Sequence, residues 1–261
     1  MTSEHHWEVL ALRYATRADR TRAASFLLET DIHTSHPIDY FVWVLRNEAG
    51  RVIVVDTGYD TAEAQRRNRP ILHEPTDMLA GIGVDVETVA DVIITHMHYD
   101  HAGCLTKFPN ARFHLQEAEM AYATGPCMCR SVLQDPFSAE HVCDMVRHVY
   151  SGRVAFVDGD AEIAPGVTVH KAGGHSRGLQ CVRAETANGP LVLASDVAHF
   201  YENYLEQKPF PIVVDVEDSL KAFTMMAGLV EDDARIIPGH DPLVCQRFPL
   251  LGAGPEVYRL D

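Results

Sequence analysis

Four of the six residues from His96 to His101 carry side chains that bind metal ions: His96, His98, Asp100 and His101. Imidazole nitrogen and carboxylate oxygen are donors that zinc accepts, and iron, cobalt and manganese take the same set less selectively. A lone histidine is usually structural. Four donors crowded into six residues directly after a strand are poorly explained that way, because the predicted context strengthens the motif. The strand is Val92-Ile93-Ile94, an apolar run that reads as short and buried and delivers the chain to the loop. Alternation sends His96 and His98 to one side. The adjacent Asp100 and His101 then turn the chain, so the four donors cannot all face one ion.

Further donors follow later in the chain: His175 in Gly173-Gly174-His175-Ser176, Asp196 just after Leu191-Val192-Leu193, and His240 in Ile236-Ile237-Pro238-Gly239-His240-Asp241. With the first loop they resemble, in order, the H-x-H-x-D-H signature and the later ligand loops of the metallo-β-lactamase superfamily, from about Pro37 to Asp241. The resemblance implies an α/β fold, an αβ/βα four-layer sandwich with paired metals at one edge. It implies that His96, His98 and His175 surround one metal, that Asp100, His101 and His240 surround the other, and that Asp196 and a hydroxide bridge them. The expected cofactors are two divalent ions, zinc first, with iron, cobalt or manganese as alternatives. Such a pair acidifies water, polarises a carbonyl and stabilises a departing oxygen. Asp100 would double as ligand and as proton carrier to the leaving group. Asp56-Thr57-Gly58, at the end of an earlier strand, resembles the superfamily's aspartate motif, whose buried carboxylate accepts a ring N–H from a ligand histidine.

Within the superfamily the chain is similar to the N-acyl-homoserine lactonase branch in its compact length, its Asp100, its Asp196 and its late Gly-His pair. Class B β-lactamases commonly carry a cysteine where Asp196 stands. The implied activity is hydrolytic opening of a lactone, an N-acyl-homoserine lactone or another small cyclic ester or amide. Many of those lactonases place a tyrosine three residues after the bridging aspartate, facing the substrate carbonyl. Here that position is His199, with Tyr201 close by, and either can donate to a developing oxyanion. A glyoxalase II-type thioesterase would use the same seven ligands but would usually add a basic C-terminal helical region, which is not evident. A non-catalytic binding or regulatory module on the same fold is disfavoured by the complete ligand set.

Composition narrows the partners. A net charge of −15 over 261 residues would repel nucleic-acid phosphates. No apolar run approaches the ~20 residues of a membrane span, and residues 1–7 lack the basic-then-apolar pattern of a secretory signal. The expected setting is the cytoplasm, the expected partner a small-molecule lactone or ester, and a homodimer is compatible with the sequence. No linker divides residues 1–261, which read as one hydrolase domain. Six cysteines in such a chain are expected to be reduced, and Cys127-Met128-Cys129 reads as pocket-lining rather than as a soft-metal site.

The remaining elements must position the donors. Residues 7–14 alternate as a first strand, and 15–39 form a polar connection in which His33 and His36 read as solvated. Residues 40–45 and 51–55 form a hairpin around Asn47-Glu48-Ala49-Gly50. Residues 61–69 form a short helix ended by Pro70, its arginines on a solvated face. Ser138 caps a helix over 139–150, and Asp218 caps one over 219–230. The aromatic, irregular segments 15–39 and 197–217 would specify the substrate independently of the metal strands.

Overall fold

The central strands of this chain are buried on both faces, which is why several read as unbroken apolar runs. In the computed structural model, which describes residues 5–252 and 254–261, twelve strands form two sheets. β1 (Glu8–Arg17), β2 (Ile38–Arg46), β3 (Val52–Val55), β4 (Asp91–Ile93), β5 (Arg112–Gln116) and β6 (Val154–Val157) belong to the larger sheet. The smaller sheet holds β7 (Ala161–Ala164), β8 (Val167–Lys171), β9 (Gln180–Thr186), β10 (Gly189–Ser195) and β11 (Ile236–Pro238); β12 (Val257–Arg259) returns to the larger. The orders are β12-β1-β2-β3-β4-β5-β6 and β11-β10-β9-β8-β7.

Alternation along β1 and β2 divides the core into two layers. Val9 and Ala11 join Phe41, Trp43 and Leu45 against residues of the smaller sheet such as Val182, Leu191 and Ile236. Leu10, Leu12 and Tyr14 join Val42, Val44 and Val54 on the other face, under Met78 and Leu79 of the helix Pro75–Gly81. The result is the four-layer αβ/βα sandwich of the metallo-beta-lactamase fold. Among the described residues no helix is long and apolar enough to cross a membrane.

Local chemistry moved some boundaries. The last long helix runs Val216–Ala227 because Asp215, not Asp218, is its N-cap, accepting from the Asp218 N–H. Ser138 precedes the helix Ala139–Tyr150 as expected but makes no side-chain cap. β1 continues to Arg17, so the polar connection is shorter than its composition suggests. His36 is not solvated: its Nδ1 lies 3.0 Å from Ser25 Oγ, and its ring packs edge-on to Phe26 and Phe200. His33 is exposed.

Candidate metal centre

Every candidate ligand sits just past a strand end, all on one edge of the sandwich. β4 delivers the loop of His96, His98, Asp100 and His101. β8 ends before His175, β10 before Asp196, and β11 before His240. β10 and β11 are parallel, with Ser195 opposite Pro238, so Asp196 and His240 emerge side by side. Gly239 permits this approach, because a Cβ there would lie 2.6 Å from the Ser195 carbonyl oxygen. Gly174, at φ +83°, brings the His175 loop onto Ser219 at the start of the last long helix.

The expected donors converge in two groups, and His199 forms a third with Asp196 and His240. His96, His98, His175 and Asp196 bring ligand atoms within 4.8 Å of one another, as do Asp100, His101 and His240. Asp196 stands between them. Its Oδ2 is 3.6 Å from His96 Nε2 and 3.1 Å from His175 Nε2; its Oδ1 is 3.2 Å from His101 Nε2 and 2.9 Å from His240 Nε2. Asp100 Oδ2 lies 3.9 Å from both His101 and His240 Nε2. Whether this arrangement suits a cation can be tested on the ring protons. His175 Nδ1 is 2.6 Å from the Ile212 carbonyl and His240 Nδ1 2.7 Å from the Asp39 carbonyl. A carbonyl only accepts, so each Nδ1 carries the proton and each Nε2 turns a lone pair towards Asp196, that of His175 also lying 2.9 Å from His98 Nδ1. His101 does the same through Asp56, 2.7 Å from its Nδ1. Lone pairs facing a carboxylate at such distances repel unless a cation lies among them. His96 Nε2, His101 Nε2 and Asp196 Oδ1 are buried with no hydrogen-bond partner. The set fits divalent metal ions, and its two groups fit a dinuclear centre.

Electrostatics agree. Burial holds His96 and His98 well below the usual imidazole range, helped by neighbouring histidines, which keeps them neutral for ligation. Burial also works against charge on His101, but Asp196, Asp100 and Asp56 outweigh it and push that group up, a sign of how much negative charge faces it. Asp56 deserves its place in the sequence reading: besides His101 it accepts the Thr95 N–H (2.7 Å) and Thr95 Oγ1 (2.8 Å). Thr95 Oγ1 in turn lies 3.1 Å from His96 Nδ1. Glu119 is the brace that sequence reasoning missed. It accepts from the Met97 N–H, the Ser176 hydroxyl and the Gly178 N–H, tying the first ligand loop to the His175 loop.

Above the donors opens a cleft of about 450 Å³, its mouth included. His199 lies in its wall, stacked on Phe210 with ring centroids 3.5 Å apart, and its Nε2 is 3.0 Å from Asp196 Oδ2. Burial pushes His199 down to about 3, so it is neutral at physiological pH. Tyr201 does not reach the cleft; it packs beside Tyr204 with the Arg247 guanidinium 3.8 Å above its ring. The tyrosines that do line the cleft are Tyr40 and Tyr99. Arg67 and Arg69 also line it, against the expectation of a solvated arginine face; of the run, Arg66 stays outside. Tyr99 was within sight of the sequence, inside the ligand loop next to Asp100. Tyr40 and Arg20 carried no local signal.

The family model for the metallo-beta-lactamase superfamily matches residues 37–240. The chain belongs to the metallo-beta-lactamase superfamily. An N-acyl homoserine lactonase of Bacillus cereus is 27% identical over 229 residues, 80% of this chain and 85% of that protein. The N-acyl homoserine lactonase AttM of Azorhizobium caulinodans is 26% identical, covering 72% of each chain. Among solved structures, an N-acyl homoserine lactone hydrolase with N-hexanoyl-L-homoserine at its catalytic metal centre superposes with a TM-score of 0.78 at 21% identity, over 95% of this chain and 98% of that one. AidC, described as a dizinc quorum-quenching lactonase, superposes with a TM-score of 0.66 at 14% identity, over 99% and 98%. At those identities the superpositions speak for the fold. With its buried His/Asp cluster, this member of the metallo-beta-lactamase superfamily is a metal-dependent hydrolase.

Proposed function

We propose that the chain opens a lactone, an N-acyl homoserine lactone or another small cyclic ester or amide, with two zinc ions as the resident metals. The observation that carries the reading is Asp196, whose two oxygens address two separate sets of imidazole nitrogens. In this reading His96, His98 and His175 would hold one ion and Asp100, His101 and His240 the other, with Asp196 available to both. Bound there, two divalent ions supply Lewis acidity to a carbonyl and acidify water at neutral pH.

The chain's own groups do the rest. Asp100 is a ligand candidate that also lines the cleft, placed to hold a proton and pass it to the departing alkoxide. His199 directs Nε2 at Asp196, so its ring N–H is committed to that carboxylate and steadies it. The carbonyl-facing donor falls instead to Tyr40 and Tyr99, the tyrosines of the cleft wall. The curated lactonase relatives support the substrate class.

The test is a panel of lactones, esters and thioesters assayed with zinc-, cobalt- and manganese-loaded protein alongside Asp100→Asn. Lactone turnover should dominate, and Asp100→Asn should lose ~10²–10⁴-fold in turnover while keeping its metals. A protein carrying two metals that turns over no lactone or ester would defeat the proposal, as would a clear preference for thioesters.

A further inference from the structure

Three arginines wall the cleft over the ligands: Arg20, Arg67 and Arg69. Arg67 is fully engaged. Glu63 pairs with it, its guanidinium lies 4.0 Å from the centroid of the Tyr99 ring, and it donates to the Asp135 and Phe137 carbonyls at 2.9 and 2.8 Å. Arg20 and Arg69 are different. Among the described residues neither forms an ion pair, in a chain whose acidic residues outnumber Lys and Arg by 37 to 22. Arg20 donates only to the Ala24 carbonyl, and its Nε is buried without a partner. Its guanidinium sits 5.5 Å from the centroid of Phe210, the ring that stacks on His199. Arg69 donates to the Tyr99 hydroxyl at 2.7 Å, one residue from Asp100. The two cations therefore stand on different walls of one cleft, one reached through Phe210 and the other through Tyr99. They lie near enough to repel: Arg20 is held down chiefly by burial, with Arg69 adding to the effect.

Two half-buried guanidiniums that repel one another, neither with an ion-pair partner, leave room for an anion to complete them, although at Arg69 the opposing effect of burial is already outweighed by Tyr99 and, at longer range, Asp100. A guanidinium presents a planar fork of N–H donors that matches a carboxylate, and a carboxylate is the smallest anion two forks can share. An uncharged acyl lactone would leave both cations as they are. We propose that the substrate of this cleft carries a carboxylate, seated between Arg20 and Arg69 at the mouth while its scissile carbonyl lies over the metal ligands. The identity of the bond that is cut rests on the hydrolase reading above; the anion seat does not.

The experiment separates the two. Metal-loaded protein is titrated calorimetrically with succinate, glutarate, adipate and suberate, each against the monocarboxylate of equal chain length. Both members of a pair can place one carboxylate on the metals, so their ratio isolates the second. At the best-fitting length the dicarboxylate should bind roughly 10- to 100-fold tighter, the range of charged hydrogen bonds. Arg20→Met and Arg69→Met should each reduce that ratio towards one with metal content unchanged. In turnover, a carboxylate-bearing lactone should exceed its methyl ester in kcat/KM by a similar factor, lost in the same variants. Wild-type ratios near one at every length would overturn the anion seat, as would a ratio that survives both substitutions. A high ratio without turnover of any lactone would instead uphold the seat and remove the lactone reading.

Discussion

Asp56→Asn is the sharpest perturbation of the metal centre, because it changes one atom and leaves shape almost untouched. Asp56 sits at φ 60°, a left-handed conformation that asparagine tolerates, so the backbone has no reason to move. Its carboxylate accepts three hydrogen bonds: the Thr95 N–H on Oδ1, and the Thr95 hydroxyl and His101 Nδ1–H on Oδ2. The new amide has two orientations. With its NH₂ in the Oδ1 place, it faces the Thr95 N–H, leaving two buried donors opposed at a cost of about 1–3 kcal/mol. With its NH₂ in the Oδ2 place, the Thr95 hydroxyl can rotate to accept. His101 can accept as well, provided its proton moves to Nε2. The second orientation satisfies every group and should prevail. It then points an N–H at Asp196 Oδ1, 3.2 Å away, where a bare lone pair is needed for the metal. Loss of such an orienting partner typically weakens metal affinity by about 10–100-fold. Titration of metal-free protein against a chromophoric chelator should show one of two sites weakened by that factor and the other nearly unchanged, with urea stability within about 1 kcal/mol of wild type. Nitrogen-15 spectra should place the His101 proton on Nε2. Two wild-type metal affinities with a stability loss of 1–3 kcal/mol would show the first orientation and refute the tautomer argument.

Glu119→Gln should behave in the opposite way. Both of its carboxylate oxygens receive a backbone N–H, from Met97 and Gly178, so neither amide orientation avoids a clash of donors. Urea unfolding should register a loss of about 1–3 kcal/mol, and an unchanged midpoint would mean that the loops are held some other way. His141 is kept below its ordinary 6.5 by burial, partly opposed by Glu63, so its contribution to stability is present above pH 6.5 and lost as pH falls through its folded value. His141→Gln should accordingly flatten the decline in urea midpoint between about pH 7.5 and 5.5; an equal decline in both proteins would contradict the sign. Tyr40→Phe should lower turnover at constant metal content while Tyr201→Phe leaves it near wild type, and the reverse ranking would return the carbonyl donor to the position near His199.

The ligand positions were legible because each lies a fixed, short covalent distance beyond an apolar run, and the strand period alone places such a residue at a sheet edge. Asp56 was legible for the same reason. What escaped were groups that arrive across the fold. Arg20 and Arg69 look like ordinary surface charges until Phe210 and Tyr99, distant in sequence, turn them into cleft walls. His36 looks solvated until Phe200, more than half the chain away, closes over it. Tyr201 is an alternative to His199 only through its closeness to Asp196 in sequence, and the short helix Tyr201–Leu205 turns it aside. Asp218 and Asp215 compete for one helix cap, and composition alone does not choose between them. β7 and β12 are too short to show a period.

The contact between His175 and the Ile212 carbonyl has an evolutionary side. Ile212 and Phe210 belong to the segment that walls the cleft, so the stretch most exposed to selection for a new substrate also pins a metal ligand. Because the pin is main-chain, the side chain at 212 can drift freely, and point changes there should explore new specificities at little risk to the ion. Insertions, deletions or a wholesale exchange of 197–217 would shift the carbonyl itself. A lineage descending from this protein would therefore be expected to diversify its pocket by substitution at constant loop length. An engineer who grafts the segment from a relative would have to bring the His175 loop along with it.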